Sequence, residues 1–286
     1  MENSSPKNVY LFQPQYATIY NNSISYWIPY SVGCIWSYAY QFEHIKNNFN
    51  LKEIFFKRDK PSDVIDKIEN PTVCGFSCYV WNEKYCLELA KEIKKTWPDC
   101  VVVFGGEQVT SAFCNYDFID CVIQYEGEEN FLDLLEHIID GKKLPNVFPK
   151  KRLNSLSIPS PYTTGVFDKI VNDNPDAIWN MSFETNRGCP FSCTFCNWGS
   201  LTQSKIKKFN IDRVRKDLEW CIGKPVVYLF AADANFGIFK ERDLEIAKVI
   251  KEVASKCSID AVNLQYTKNS NETVFQIAKD MGNLSR

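Results

Sequence analysis

Short apolar runs alternate with amphipathic stretches through the first half of the chain, and this alternation restricts the fold more than any other feature. Strands that lie parallel in one sheet must be joined by long crossovers, which are usually helical. The pattern therefore predicts an α/β fold whose first domain is a flavodoxin-like (Rossmann-like), doubly wound parallel sheet. Ligands of such sheets bind beyond the carboxyl ends of the strands. The five predicted strands are residues 9–12, 51–56, 72–77, 101–104 and 121–125.

The strand–helix pattern begins again after a segment rich in glycine and proline, which spans residues 141–177. Clusters of these residues mark loops and linkers. Three more strand signals follow, and each precedes a segment with helical periodicity. We predict a first domain over 1–140, a linker over 141–177 and a second domain over 178–286. The strands expected after the linker are 178–183, 226–230 and 261–265.

Three cysteines at C-x3-C-x2-C spacing follow the first strand of the second domain: Cys189, Cys193 and Cys196. Three thiolates on one loop can hold three irons of a 4Fe–4S cube and leave the fourth iron open. A zinc site usually needs four nitrogen or sulfur ligands, and the next cysteine, Cys221, lies beyond a predicted helix. A disulfide framework is not expected in a chain of this length without a signal peptide. The pattern favours an iron–sulfur cluster.

Glycines stand at the ends of two predicted strands of the first domain. Gly105 and Gly106 end the fourth strand, and Gly127, between Glu126 and Glu128, follows the fifth. A glycine lets the backbone approach a ligand closely because no Cβ intervenes. The same residues also serve as ordinary turns between a strand and a helix. Both interpretations remain open from the sequence.

Charge and hydropathy exclude some classes of partner. The chain of 286 residues has a net charge of -2 and a pI near 5.9, which gives no electrostatic footprint for nucleic acid. No apolar run approaches the roughly 20 residues of a membrane span. Many cysteines without a signal peptide predict the reducing cytoplasm.

Three segments of the sequence (158–168, 184–199 and 231–237) together resemble the cobalamin-dependent radical S-adenosylmethionine enzymes of peptide natural-product maturation, which include C-methyltransferases. The cysteine triplet, with an aromatic residue just before its third cysteine, is the most specific part of this resemblance. It implies that Cys189, Cys193 and Cys196 bind a 4Fe–4S cluster. It also implies that the open iron binds S-adenosylmethionine, whose reductive cleavage releases a 5′-deoxyadenosyl radical.

The resemblance implies further residues for S-adenosylmethionine. Phe195 would lie near the adenine, and Asp233 and Asn235 would lie where related enzymes contact the amino group of the methionine moiety. The chain lacks the Gly-Gly-Glu segment that many related enzymes have at that strand. An alternative for Asp233 and Asn235 is a helix N-cap or an Asx turn.

The first domain resembles the cobalamin-binding domains that precede radical domains, where loops after the third, fourth and fifth strands surround the cofactor. Many cobalamin proteins carry Asp-x-His-x-x-Gly after the first strand, but residues 13–18 contain no histidine. His44 and His137 both fall in helical patterns, so cobalamin is predicted to bind without a protein histidine on cobalt. The candidate cobalamin residues implied by the resemblance are Ser77, Cys78, Gly105, Gly106, Glu107, Gly127 and Glu128.

The resemblance implies that the complete enzyme acts on an unactivated carbon, either by methylation or by another radical modification. The substrate would be a peptide or a small-molecule natural product, with a peptide as the leading candidate. A flavodoxin or ferredoxin would supply electrons. The radical domain of the family is a partial (βα)6 barrel, of which three units are expected here, so the chain is expected to be truncated within that domain. An exposed edge at 261–265 would then favour association with a second chain. Two alternatives remain: a radical enzyme with a vestigial cobalamin domain, and a non-catalytic fragment or subunit.

Overall fold

The fold is known from a computed structural model that describes residues 5–191, 193, 206–268 and 272–285. The strands are β1 (Lys7–Phe12), β2 (Thr18–Tyr20), β3 (Ser23–Trp27), β4 (Phe49–Phe55), β5 (Pro71–Ser77), β6 (Val101–Gly105), β7 (Cys121–Ile123), β8 (Ile178–Phe183), β9 (Asn186–Arg187), β10 (Lys207–Lys208), β11 (Val226–Phe236) and β12 (Ala261–Tyr266). The α-helices are α1 (Tyr30–Ala39), α2 (Glu43–Asn48), α3 (Pro61–Ile65), α4 (Glu83–Thr96), α5 (Glu128–Ile139), α6 (Asp168–Asn172), α7 (Ile211–Glu219), α8 (Lys240–Ala254) and α9 (Glu272–Met281).

The first compact unit comprises Met1–Ala17 and Ser31–Asn154. Its sheet has the order β4-β1-β5-β6-β7, and every neighbouring pair is parallel. Counted within this unit, the strand order is 2-1-3-4-5, which is the flavodoxin order. The prediction of a flavodoxin-like α/β domain is confirmed.

Aromatic side chains fill one layer of this sheet across three neighbouring strands. Phe12, Phe76 and Phe104 are register partners on β1, β5 and β6. Their rings stack with centroids 4.4 Å and 4.8 Å apart. Helix α4 covers the sheet with the buried stripe Cys86, Leu89, Ala90 and Ile93, whose spacing places all four on one helical face.

The second compact unit comprises Thr18–Tyr30 and Ser155–Arg286. Its sheet has the order β12-β11-β8-β3-β2. Strands β8, β11 and β12 are parallel, and α7, α8 and α9 follow them in turn. These are the three predicted βα units of a partial barrel. Strand β12 lies at the predicted sheet edge, where Val262 forms an isolated bridge with Ser285.

A β-hairpin from the N-terminal part of the sequence extends this second sheet. Strands β2 and β3 pair around Asn21 and Asn22, whose φ angles are 47° and 64°. Two consecutive residues with positive φ are typical of a type I′ hairpin turn. Strand β3 then pairs parallel with β8, although about 150 residues separate the two strands in sequence. The pattern of the sequence did not predict this hairpin.

The two units therefore differ from the predicted division into 1–140, 141–177 and 178–286. Residues 18–30 belong to the second unit, because β3 pairs with β8, and the first unit continues to Asn154. Residues after α5 stay with the first unit because Val147 bridges Val122 of β7. Among the described residues, no helix has both the length and the apolar composition needed to cross a membrane.

Candidate functional site

Two short strands flank the segment that holds the three cysteines, and the first of them, β9, begins three residues after β8 ends. Arg187 pairs with Lys207, and Asn186 pairs with Lys208, in the two-residue antiparallel ladder of β9 and β10. Cys189 and Cys193 are half-buried. Cys196 and Phe195 lie outside the described residues. The ladder brings together the two chain segments that enter and leave the predicted cluster site.

A buried carboxylate on β11 holds the start of this loop. Asp233 is 1% exposed. Its Oδ1 accepts hydrogen bonds from the backbone N–H of Thr185 at 2.7 Å and of Asn186 at 3.1 Å, and its Oδ2 accepts one from the Thr185 hydroxyl. Burial raises the pKa of Asp233 to about 7, although the hydrogen bonds from Thr185 and Asn186 act in the opposite direction. Both carboxylate oxygens are occupied by the loop, which favours an anchoring role over direct contact with S-adenosylmethionine.

Arg242, near the start of α8, ties the two ends of the loop together. Its Nη2 donates to the carbonyl oxygen of Thr185 at 2.6 Å and to that of Phe209 at 3.0 Å. The side chain is 11% exposed and lies 3.3 Å from the carboxylate of Asp243. A buried guanidinium with fixed carbonyl acceptors has a rigid geometry. Sequence reasoning missed Arg242, because no motif distinguishes it from the other charged residues of an amphipathic helix.

A second ion pair stiffens the entry to the loop. The Arg187 guanidinium donates to both carboxylate oxygens of Glu184, from Nε at 2.9 and 3.1 Å and from Nη2 at 2.9 Å. The Tyr30 hydroxyl donates to Oε2 of Glu184 at 3.2 Å. Such a forked pair, mostly buried on both sides, restricts the chain just before Cys189.

Asn235, two residues after Asp233 on β11, contacts a predicted cluster ligand directly. Its Nδ2 lies 3.1 Å from Sγ of Cys189. The side chain is 2% exposed, and its Oδ1 has no hydrogen-bond partner within the described part of the chain. The strand predicted to end at residue 230 extends to Phe236, so both polar residues lie inside a strand rather than at a helix N-cap.

These residues fit a cluster held by three thiolates. Within residues 5–191, 193, 206–268 and 272–285, no three histidine, cysteine or acidic side chains converge on one point. A three-cysteine site therefore needs Cys196. The donor set of soft thiolates, a half-buried position and an amide N–H directed at one sulfur are all typical of iron–sulfur ligation.

In the first unit, four of the candidate cobalamin residues meet at the carboxyl edge of the sheet. Ser77 pairs with Gly105, and the Cys78 N–H donates to the Gly105 carbonyl at 2.7 Å. Gly106 has a φ of +102°, and a Cβ there would lie 2.5 Å from the carbonyl oxygen of Cys78. Gly106 is therefore required by the close approach of two protein backbones.

The remaining candidates of this unit surround the start of α5. Gly127 precedes the helix with a φ of -89°, which any residue can adopt. A Cβ there would lie 3.1 Å from Cγ2 of Ile35, so a larger residue would require the Ile35 side chain to shift slightly. Glu128 is buried, at 3% exposure, whereas Glu107 is exposed. Tyr125 has a φ of 65°, which ends the strand at Ile123, two residues earlier than predicted.

Asn82 joins two loops at the carboxyl edge and was not predicted. It is fully buried. Its Nδ2 donates to the carbonyl oxygens of Pro14 at 3.0 Å and Ser77 at 3.1 Å, and its Oδ1 accepts from the Tyr79 N–H at 2.7 Å. Within the same loop the rings of Tyr79 and Trp81 stack 4.6 Å apart. The indole of Trp81 is 53% exposed, which leaves an aromatic surface at this edge.

Both histidines lie away from the carboxyl edge. His44 is on α2, just before β4, and its Nε2 lies 2.9 Å from Oε1 of Glu136. His137 is in the last turn of α5, and its Nδ1 lies 2.7 Å from the carbonyl oxygen of Asp133. The helix α2 runs directly into the start of β4, which places His44 near the amino edge of the sheet. The helix α5 follows β7 and runs back across the sheet, which places His137, in its last turn, at the same edge. That cobalamin binds without a histidine ligand on cobalt stays a prediction.

Comparisons with known proteins give close relatives, although no family model matches the chain. The cobalamin-dependent radical SAM methyltransferase TokK of Streptomyces tokunonensis is 36% identical over 279 residues. The 2-(S-pantetheinyl)-carbapenam-3-carboxylate methyltransferase of Streptantibioticus cattleyicolor is 34% identical over 275 residues. Each match covers 88% of this chain and 40% of the relative. The chain therefore spans about two-fifths of the length of these curated relatives.

A solved structure confirms the predicted fold. The radical S-adenosylmethionine methyltransferase TsrM of Kitasatospora setae, described with tryptophan substrate and an S-adenosylmethionine analogue bound, superimposes with a TM-score of 0.65. The superposition covers 98% of this chain and 58% of TsrM at 13% sequence identity. A flavodoxin-like domain followed by part of a barrel is therefore confirmed. The predicted resemblance to cobalamin-dependent radical enzymes is confirmed by the two sequence relatives.

Proposed function

We propose that this chain, a homologue of cobalamin-dependent radical S-adenosylmethionine methyltransferases, carries the cofactor-binding parts of such an enzyme. The observation that supports this most strongly is the extent of the sequence similarity. It covers 88% of the chain, more than either compact unit holds alone. The first unit would bind cobalamin, and the second would bind the cluster and S-adenosylmethionine.

In the second unit, the protein would hold and orient the cluster. Cys189, Cys193 and Cys196 would bind three of its irons. Asp233 and Arg242 hold the backbone of Thr185 before the cysteines, and Arg242 also holds the backbone of Phe209 after them. When bound, the cluster supplies the electron that cleaves S-adenosylmethionine, and cobalamin supplies the methyl group. Phe195 would lie against the adenine, as the resemblance implies.

In the first unit, the carboxyl edge of the sheet would bind cobalamin. Ser77, Cys78, Gly105 and Gly106 are joined there by direct backbone contacts. Glu107 follows β6, and Gly127 and Glu128 follow β7. The exposed Trp81 adds an aromatic surface. Since both histidines lie at the opposite edge, cobalt would have no histidine ligand from this chain.

The name of one relative bears on the substrate class. One of the two proteins similar over 88% of the chain is named for a pantetheinyl carbapenam. We therefore favour methylation of an unactivated carbon in a small-molecule natural product, with a peptide as the alternative. A low-potential donor such as a flavodoxin or ferredoxin would reduce the cluster. The chain matches 40% of the length of these relatives, and this activity is proposed for the whole protein.

Cofactor content tests this proposal. The chain would be purified under anaerobic conditions and reconstituted with iron, sulfide and hydroxocobalamin. We expect about four irons per chain and one bound cobalamin. Stoichiometric zinc without iron would refute the cluster. Iron without cobalamin would support the alternative of a vestigial cobalamin domain, in which radical chemistry proceeds without methyl transfer from cobalt.

Product analysis tests the activity separately. Incubation with S-adenosylmethionine and a reductant, followed by mass spectrometry, detects 5′-deoxyadenosine and S-adenosylhomocysteine. Formation of both products above the level of a Cys193→Ala control would support a methyltransferase. Cofactor binding without either product would support a cofactor-binding subunit or fragment.

A further inference from the structure

We infer that Asn235 donates a hydrogen bond to the sulfur of Cys189 in the loaded protein and thereby raises the reduction potential of the cluster. This inference rests on the proposed function, since it requires a cluster on Cys189. It assigns Asn235 as a positioning and tuning residue in addition to its suggested place near S-adenosylmethionine.

Asn235 is carried by strand β11 rather than by the cysteine loop. It lies beyond Ala231, where the pairing of β11 with β8 ends, and directly before Phe236, which pairs with Tyr266 of β12. Its Nδ2 is 3.1 Å from Sγ of Cys189, inside hydrogen-bond range for sulfur. A donor fixed on a central strand keeps its direction better than a donor on a loop.

Among the residues that the structure describes, no other hydrogen bond of the Asn235 side chain explains its presence. Within the described residues, the amide of Asn235 makes only the bond to Cys189, and its Oδ1 has no partner there although the residue is 2% exposed. Burying an amide costs free energy unless its polar atoms are satisfied. Asp233, on the same strand, differs in this respect because its carboxylate accepts hydrogen bonds from Thr185 and Asn186.

The effect of this hydrogen bond on the reduction potential depends on where the negative charge added by reduction resides. Reduction adds one electron, taken from an external reductant such as dithionite, and converts the 2+ cluster to the 1+ state. Part of the added negative charge resides on the thiolate ligands, so an N–H donor stabilises the reduced state more than the oxidised state. Hydrogen bonds to the sulfurs are one of the levers that set cluster potentials. Loss of the donor should therefore make the potential more negative.

The test is a redox titration of the reconstituted full chain. Asn235→Leu removes the donor with little change in volume. Asn180→Leu is the matched control, because Asn180 lies on the adjacent strand β8 and its Nδ2 donates to the Ser25 hydroxyl at 2.9 Å, not to a cysteine. Iron and sulfide content are measured first, and the midpoint potential is then followed by absorbance and by electron paramagnetic resonance in the absence of S-adenosylmethionine.

We expect Asn235→Leu to retain iron and to shift the midpoint potential in the negative direction. The expected size is roughly tenfold in the ratio of oxidised to reduced cluster at a fixed potential, which is about 59 mV for one electron. Asn180→Leu should titrate like the wild type. An iron-loaded Asn235→Leu variant with the wild-type potential would overturn the inference.

Two further outcomes separate this inference from the proposed function. A wild-type chain that binds no iron would contradict the proposed function itself. If Asn235→Leu loses its cluster, Asn235→Ala provides the second test, because it removes the donor and adds neither bulk nor charge beside Cys189. A more negative potential in that variant would support the inference. Loss of iron from both variants with an intact fold would overturn tuning in favour of a purely structural role.

Discussion

Replacement of Gly106 by alanine should destabilise the first unit, because an added Cβ meets backbone rather than a movable side chain. The new atom would lie 2.5 Å from the carbonyl oxygen and 2.9 Å from the nitrogen of Cys78, whereas ordinary contacts begin at 3.4 Å. The φ of +102° is also unfavourable for any residue with a side chain. The ends of β5 and β6 must therefore separate.

The cost can be worked out from the contacts that this separation breaks. A side chain in a sparsely populated backbone region costs about 1–3 kcal/mol. The hydrogen bonds from the Cys78 N–H to Gly105 and from the Gln108 N–H to Cys78 measure 2.7 Å and 3.3 Å, and each contributes about 1 kcal/mol. We expect Gly106→Ala to lower the free energy of unfolding by about 3–5 kcal/mol, a large share of the roughly 5–15 kcal/mol of a typical domain.

Gly141→Ala is the matched control in the same unit. Gly141 also has a positive φ, +63°, but a Cβ there would meet nothing within 4 Å. It should cost only about 1–2 kcal/mol, from the backbone conformation alone. Urea unfolding gives the total effect, and hydrogen exchange of peptides from β5 and β6 shows whether the loss is local. Equal destabilisation by the two substitutions would refute the steric reasoning.

Three further predictions concern the cofactors and the buried carboxyl group. Cys193→Ala should lose most of the roughly four irons of the reconstituted chain, and iron analysis that matches the wild type would exclude this ligand. His44→Ala and His137→Ala should both keep cobalamin, so absorbance that shows cofactor loss from a folded variant would contradict binding without histidine. The pKa of Asp233 is raised from 3.8 to about 7, so between these values the folded state holds a proton that the unfolded state has released. The stability of the wild type relative to Asp233→Asn should therefore be greatest at low pH and fall as pH rises from about 4 to 7, and a constant difference in unfolding free energy across this range would refute it.

Several features follow from local patterns and were predictable. The flavodoxin order arises from strands and crossovers whose periodicity is visible within short windows. The cysteine triplet is likewise a local motif, since all three thiols lie within eight residues, 189–196. The positions of the glycines between strands and helices were also predictable. The sequence did not decide whether these glycines serve a turn or a ligand. In the structure, Gly106 is required by its close contact with the Cys78 backbone.

Other features depend on partners that are distant in sequence, and only the tertiary structure decided them. The hairpin of β2 and β3 joins the second sheet because the edge of β8 offers unpaired backbone groups to β3, and nothing in residues 18–30 specifies that partner. Arg242 is an ordinary helical arginine until folding places the Thr185 and Phe209 carbonyls beside it. The sequence alone thus determined the α/β class and the candidate cluster ligands, because those signals are local. The anchors that hold the cysteine loop were decided by the tertiary structure, because a hydrogen bond between residues 57 positions apart leaves no periodic trace in the chain.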